Sequence, residues 1–492
     1  MMGWIQGHFL LLAMLAVYTG FMVQHARVGQ RRSKGSLDYF VGGRSIGGLT
    51  IAISFFATYA STNTFLGFSG RSYSWGVGWL LLVPFAVVLS FLSWTFIAPR
   101  LREFSEALES ITIPDFIGFR SSSPTARVSA AVIVCFSSII YMTAIFKGVG
   151  NLVESVLGVP YSIAIAIVLV LVVTYTTIGG FHAVVRTDVV QGLLMVVAAI
   201  VLFWGTVRAA GGVGSLWEPL EGMEHLLTLD AAPPLGILLG VLFATTIKFV
   251  VEPRQLSRFY ALREPRLARQ GVWASSALFL VTFSCLAPIG LYAHRILAAG
   301  QVEDTDKIVP FLLAEGIFGT FGTPLLFVAI LAAAMSSLDS VLLVVATTFQ
   351  RDLVSTLGGR WAEETAVRNS RFFVMLFAGM TAVVALDPPA DIIALTSFSG
   401  ALYGACFLPA ILLGLWWRRG SAASVTTSFC VGLAVLMLWR FGPLADSIHS
   451  VFPAVLLSLV AYVGVAFATT QTAGATLDDL FVRADRGEGA SR

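Results

Sequence analysis

Apolar residues recur along the chain in runs long enough to cross a bilayer, which takes roughly 17–25 residues of helix. Thirteen such runs lie at about 5–23, 46–69, 75–98, 128–150, 160–179, 187–208, 234–251, 272–293, 322–346, 370–387, 391–416, 421–440 and 449–469. A further stretch, 307–320, is apolar but short, and reads as a surface or re-entrant helix. No Gly/Ser linker or soluble domain interrupts the array. The pattern predicts an all-α polytopic membrane protein, with a single transmembrane domain over 1–469 and a short polar tail over 470–492.

Charge sharpens this picture. Of 492 residues, 57% are hydrophobic and 12% charged, about half the charged share of an ordinary soluble domain, so there are too few charges to cover a soluble surface. With the N-terminus outside, the cytoplasmic segments become 24–45, 99–127, 180–187, 252–271, 347–371, 417–420 and the tail. These hold 24 of the 31 Lys and Arg residues. The other side carries acidic loops, "WEPLEGMEHLLTLD" and "QVEDTD". That asymmetry is what the positive-inside rule expects. No basic residue precedes the first run, and Arg27, Arg31, Arg32 and Lys34 follow it. A cleaved signal peptide has the reverse order, so the run reads as a retained span, in an inner membrane, with the tail cytoplasmic. The small net charge of +3 gives no support to a nucleic-acid partner, and no obligate protein partner is implied. Cys135, Cys285, Cys406 and Cys430 sit in apolar stretches without paired spacing and read as small buried side chains. The six histidines form no metal-ligand pattern.

Polar residues inside the spans carry the chemistry, because an ionisable group at mid-membrane costs about 2.5–3.5 kcal/mol on insertion scales. In the second run, Thr58 to Thr64 are small or polar apart from Tyr59. Either this is a packed helix with small residues at a helix interface, or the helix breaks there and frees carbonyls, such as those of Ala57 and Ala60, for a cation. In the seventh run, Pro253 invites a kink. Lys248 stands four residues before Glu252, so it forms an internal ion pair with it, or it faces a substrate cavity and offers its ammonium to a carboxylate. In the ninth run, Ala333, Ser336, Ser337 and Ser340 share one helical face with Asp339 at its edge. They are hard oxygen ligands for a hard cation, or serines bonded back to the preceding turn. Asp188 opens the sixth run, where a carboxylate is also ordinary helix-start chemistry.

Taken in order, "DYFVGGRSIGG", "GGFHAVVRTDVVQG", "EPRQLSRFYALRE", "AAAMSSLDS" and "LLGLWWRRGS" resemble the sodium:solute symporter family, which includes sodium-coupled proline, pantothenate, sialic acid and sugar transporters. The resemblance implies a LeuT-type fold of two five-helix inverted repeats, about 46–208 and 234–416, behind an extra N-terminal helix, with the first helix of each repeat broken. It places a sodium ion on the carbonyls of Ala57, Ala60 and Ala333 and the hydroxyls of Ser336 and Ser337. It links Asp188 to sodium binding or release, and offers Asp188, Ser336, Asp339 and Ser340 as a second sodium site. Asp339 is a carboxylate where some relatives have a hydroxyl, which leaves that second ion open. The substrate positions that match are Tyr59, Asn63, Thr64, Tyr141, Thr245, Lys248, Phe249, Ser399 and Tyr403. Sugar and proline carriers have other side chains at Tyr59. The resemblance thus implies Na+-coupled symport of a small organic solute, with a carboxylate-bearing one favoured if Lys248 faces the cavity. The alternatives are a proton-coupled or uncoupled carrier of the same fold, and a membrane sensor or scaffold. An enzyme has no nucleophile–base pair or metal cluster to work with in these spans.

Overall fold

The structure, a computed structural model, describes residues 7–32, 41–218, 224–298, 300–358, 363–470 and 480–482. The polar tail after 470 lies outside the described residues except for 480–482, as do Asp38 to Phe40 of the first motif. The described residues form helices and turns, with one isolated bridge between Ile46 and Leu262. In hydrocarbon every backbone N–H and C=O needs a partner within the chain, and helices supply it. Nine described helices are long and apolar enough to cross a membrane, and three shorter apolar ones accompany them at Phe9–His25, Gly48–Tyr59 and Tyr161–Thr174.

In chain order, α1 is Phe9–Arg32. Two short helices follow, α2 (Gly48–Tyr59) and α3 (Phe68–Trp75), separated by an irregular stretch. α4 is Leu82–Leu92 and α5 is Pro124–Leu157. α6 runs over Tyr161–Ala209 with a break at Gly180. α7 (Leu235–Thr246) and α8 (Pro253–Tyr260) form the next interrupted pair. α9 is Ala268–Leu286, α10 Gly319–Thr348, α11 Glu363–Ala385, α12 Ile392–Trp416, α13 Ala422–Leu438 and α14 Val451–Ala468. The apolar 307–320 stretch contributes a short helix, Ile308–Ala314, most of it buried.

α10 is the axis of the molecule. It is buried without interruption from Leu326 to Leu343 and packs against α1, α2, α5, α6 and α11. α13 and α14 pack on each other and on α12, and leave much of their apolar surface outward, as lipid-facing helices do.

Two places differ from the sequence reading. The segment 252–271, assigned to a cytoplasmic loop, begins with α8, whose eight residues are all buried. Pro253 cannot donate a backbone N–H, and the residue before proline is driven to extended geometry. Glu252 accordingly has φ −77° and ψ 125°, and a new helix starts at Pro253 instead of a loop. Asp188, placed at a helix start, lies more than two turns inside the helix that resumes after Gly180. Only Gly180 is non-helical there, with φ 64°, a conformation that costs glycine little. The carboxylate is therefore buried among neighbouring helices and is no N-cap.

The chain entering α2 and the chain leaving α8 meet. Ile46 N–H donates to the Ala261 carbonyl (3.1 Å) and Arg263 N–H to the Ile46 carbonyl (2.9 Å). The two interrupted helices are thus tied together at one end.

Candidate ion and substrate site

The first interruption follows from its small polar residues. α2 ends at Tyr59, Ala60 is extended (φ −64°, ψ 113°), and the chain re-enters helix through a wide turn at Asn63–Gly67. Local side chains cap the restart, since Ser61 N–H donates to Thr64 Oγ1 (3.3 Å) and Asn63 N–H to Ser61 Oγ (3.2 Å). Thr64 is consumed by this turn. The carbonyls on the other side of the break turn to α10. Ser336 Oγ donates to the Ala57 carbonyl (3.2 Å), and Ser337 Oγ donates to those of Thr58 (2.9 Å) and Ala60 (3.4 Å). Ala333 is buried one turn earlier on the same helix.

This cage suits a cation of sodium's size. An ion that takes oxygen at about 2.3–2.6 Å holds ligands at right angles roughly 3.3–3.7 Å apart. The Ser336–Ala57 and Ser337–Ala60 spacings fall at or next to that range. Without an ion the same pairs are hydrogen bonds, and ligation requires only that each hydroxyl proton turn away.

Beside the cage lies a buried charged cluster. Asp188 Oδ1 accepts from Ser336 Oγ (2.6 Å), and Oδ2 accepts from Ser54 Oγ (2.6 Å), Thr58 Oγ1 (3.4 Å) and Arg258 Nη2 (2.9 Å). Arg258 Nη2 also donates to Ser340 Oγ (2.5 Å). Asp339 turns to α6, where Thr176 Oγ1 donates to its Oδ1. Of the four residues offered for a second ion, Asp188 contacts Ser336 directly and is joined to Ser340 through a guanidinium.

The second interruption presents ionisable side chains. Glu252 Oε1 accepts from Arg254 Nε (2.8 Å), while Arg254 Nη1 reaches across to the Thr58 carbonyl (2.5 Å) at the first break. The Lys248–Glu252 pair is not formed. That spacing pairs side chains only along a continuous helix, and the extended Glu252 points to Arg254 instead. Lys248 is buried, its ammonium 4.8 Å from the centre of the Tyr141 ring, with no ion-pair carboxylate among the described residues. Arg254 stacks on the same ring at 4.0 Å. Tyr141 donates to Ser61 (3.2 Å), and Tyr59 donates to the Thr245 carbonyl (2.8 Å). Asn63 Oδ1, Thr245 Oγ1, Glu252 Oε2 and Arg254 Nη2 are buried without a hydrogen-bond partner. Buried polar atoms are rarely left so, and here they cluster around both breaks.

The other substrate positions divide. Phe249, next in sequence to Lys248, joins an aromatic group with Tyr59 (4.3 Å between centres) and Phe279 (4.6 Å). Ser399 and Tyr403 of α12 face α5, with Ser399 Oγ 2.8 Å from Ser137 Oγ and the Tyr403 hydroxyl 3.4 Å from Ser138 Oγ. They sit about one turn of α5 from Tyr141. Gly400, on the same helix, leaves the space through which Lys248 passes, because a Cβ there would lie 2.9 Å from Lys248 Cε.

The model of the sodium:solute symporter family matches residues 39–432. The chain belongs to this family. An osmoregulated proline transporter of Bacillus subtilis (strain 168) is 30% identical over 451 residues, 89% of this chain and 91% of the relative. The sodium/pantothenate symporter of Escherichia coli (strain K12) is 27% identical over 480 residues, 94% and 96% of the two chains. Among solved structures, the substrate-bound outward-open state of a Na+-coupled sialic acid symporter superposes with a TM-score of 0.78 at 19% identity, covering 94% of this chain and 98% of the other. A closed nucleobase-cation-symport-1 family transporter gives 0.52 at 15% identity, covering 92% and 99%. As a family member the chain is a multi-pass membrane transporter of the symporter class and not an enzyme.

Sequence reasoning passed over Arg254, Arg258 and Ser54, and took Thr58 only as the start of the small polar run. The signal was there in "EPRQLSRFY", where two arginines four residues apart occupy one face of a helix. Assigning the segment to a loop hid it.

Proposed function

We propose that this symporter couples inward sodium flow to uptake of a small organic solute carrying a carboxylate. The observation that carries the reading is the convergence of freed α2 carbonyls and α10 hydroxyls at ion-ligand spacing. Sodium would take the carbonyls of Ala57, Ala60 and Ala333 and the hydroxyls of Ser336 and Ser337. The solute would lie between the two breaks, where the unpartnered polar atoms and Lys248 face one another. A buried ammonium without a counterion is costly, and a substrate carboxylate would remove that cost. Asn63, Thr245 and Tyr141 complete the lining, with Tyr59 and Phe249 as an apolar wall, Thr64 supporting the turn, and Ser399 and Tyr403 at the α5–α12 edge.

The architecture in this reading is thirteen spans in one transport domain, 1–469, with inverted five-helix repeats at about 46–208 and 234–416. Helices interrupted at the start of each repeat support it, since broken helices facing a midplane site are the general design of such carriers. The N-terminus is outside and the tail cytoplasmic. In alternating access, sodium binds first and ties α2 to α10, the solute follows, and an outer closure forms. Arg71 of α3, whose Nη2 donates to both carboxylate oxygens of Asp391 just before α12 (2.8 and 2.9 Å), is the outer clasp. At the opposite end, Arg127 and Arg351 hold the buried carboxylates of Asp115 and Asp352 (2.8–2.9 Å).

The driving force is adequate. One charge crossing 100 mV is worth about 2.3 kcal/mol and a tenfold sodium gradient about 1.4 kcal/mol. For a neutral or zwitterionic solute with one sodium, both terms act, and accumulation reaches the order of 500-fold.

Uptake of labelled amino acids, monocarboxylates and pantothenate into proteoliposomes tests the reading, with sodium or proton gradients imposed separately. Carboxylate uptake that rises with the sodium gradient is expected. Uptake that follows the proton gradient and ignores sodium would overturn it and make Lys248 the titrating group of a proton-coupled carrier.

A further inference from the structure

We infer that Arg258 is a tethered cation that occupies the place a second sodium would take at Asp188, so that this carrier binds one sodium per cycle. The inference rests on the reading of the α2–α10 cage as a sodium site.

Four donors converge on Asp188, from Ser54, Thr58, Ser336 and Arg258. Three of them, from Ser54, Thr58 and Arg258, fall on Oδ2, which is fully used, and Ser336 meets Oδ1. The Ser340 hydroxyl is also used twice. It donates to the Ser336 carbonyl (2.8 Å) and accepts from Arg258 Nη2 (2.5 Å). One guanidinium nitrogen thus bridges the carboxylate and the serine that would have to face each other across an ion. Its Nε donates to Ser54 Oγ (3.3 Å), and the group lies 5.2 Å from the centre of the Phe181 ring. The arginine is fully buried, and a guanidinium does not deprotonate in proteins. Asp339, the remaining member of the set, is engaged with Thr176 of α6.

The charge is therefore present in every state that keeps Arg258 against Asp188. A sodium ion entering here would meet a fixed positive charge that is already bonded to both the carboxylate and Ser340. On the other side of Ser336, Arg254 approaches the cage only through the Thr58 carbonyl, and the ligands proposed for sodium are carbonyls and hydroxyls that can accept one ion. Arg258 sets the ion count. A monoanionic solute would then move with no net charge, and a zwitterion with one.

Radiolabelled sodium binding to the purified full-length chain in nanodiscs, read per mole of protein, tests this together with the Hill coefficient from sodium-dependent protein fluorescence. The wild type is expected to bind one ion with a Hill coefficient near 1. Arg258→Gln is expected to bind two with a coefficient approaching 2, and to gain thermal stability from sodium more steeply than the wild type. Arg258→Lys, which keeps the charge, is expected to stay at one. The double variant Arg258→Gln/Asp188→Asn, which removes both charges, is expected to return to one and shows that the cage remains folded. Two ions on the wild type, or one on a folded Arg258→Gln with the double variant intact, would overturn the inference alone. No sodium on the wild type would overturn the cage itself as well.

Discussion

The two helix interruptions solve one problem with different materials. At the first, between Tyr59 and Asn63, no residue is ionisable apart from the phenol, and the freed carbonyls meet neutral hydroxyls of α10. At the second, around Glu252, Lys248, Arg254 and Arg258 crowd within a few turns, and one carboxylate of their own, Glu252, is supplied there. Oxygens without a fixed charge form a site that a mobile cation can enter and leave. Fixed cations form a site that a mobile anion can enter. In the proposed reading the first break receives sodium and the second a carboxylate, and Arg254 joins them by pairing Glu252 at one and the Thr58 carbonyl at the other.

The largest effect is therefore expected from cutting that joint. Arg254→Ala leaves the Glu252 carboxylate buried and unpaired, which typically costs about 3–5 kcal/mol. Transport should be lost and the thermal midpoint in detergent should fall by many degrees. Adding Glu252→Gln to Arg254→Ala should restore much of the stability but little transport, since the tie to Thr58 is still missing. A single variant as stable as the wild type would separate the two breaks energetically.

The next effect falls on the first break alone. Ser336→Ala or Ser337→Ala should weaken sodium affinity about tenfold or more, at about 1.4 kcal/mol per tenfold, with substrate affinity at saturating sodium nearly unchanged. Sodium dependence equal to the wild type would remove the cage. The third falls on the second break. Lys248→Met should raise the half-saturating concentration of a carboxylate solute roughly tenfold, since hydrogen bonds to charged groups contribute about 1.5–3 kcal/mol. Sodium affinity without substrate should stay put, and unchanged uptake kinetics would return Lys248 to a packing role.

The same contrast governs what could be read from the sequence. The first break was legible only with the family resemblance, because a small polar run inside an apolar span suits a packed helix interface as well as a break, while the serines of α10 follow a helical period. The second was half legible. Pro253 marked a change of direction, but Lys248 and Glu252 were spaced for a partnership that only a continuous helix allows. Arg258 was harder to read than its spacing suggests, because an arginine near the end of a span normally snorkels to the interface, and the packing of α8 against α2 and α10 buries it beside Asp188. Asp188 itself was misread as a helix start because a single glycine, Gly180, ends one helix and begins the next without a loop.

The smallest expected effect tests how closely the two breaks communicate. Tyr59 ends α2, and its hydroxyl donates to the Thr245 carbonyl of α7 (2.8 Å), the neutral counterpart of the Arg254 tie. Tyr59→Phe keeps the ring against Phe249 and removes only that hydrogen bond, which is worth about 1 kcal/mol. If the hydroxyl serves to hold the breaks in register, sodium and substrate affinities should weaken together, each by about fivefold or less. If it meets the solute, substrate affinity should fall alone and the sodium titration without substrate should superimpose on the wild type. Measured by fluorescence with and without saturating solute, the pair of titrations distinguishes a strut from a ligand. The strut is the outcome favoured by a hydroxyl whose proton is already committed to the backbone of the opposite break.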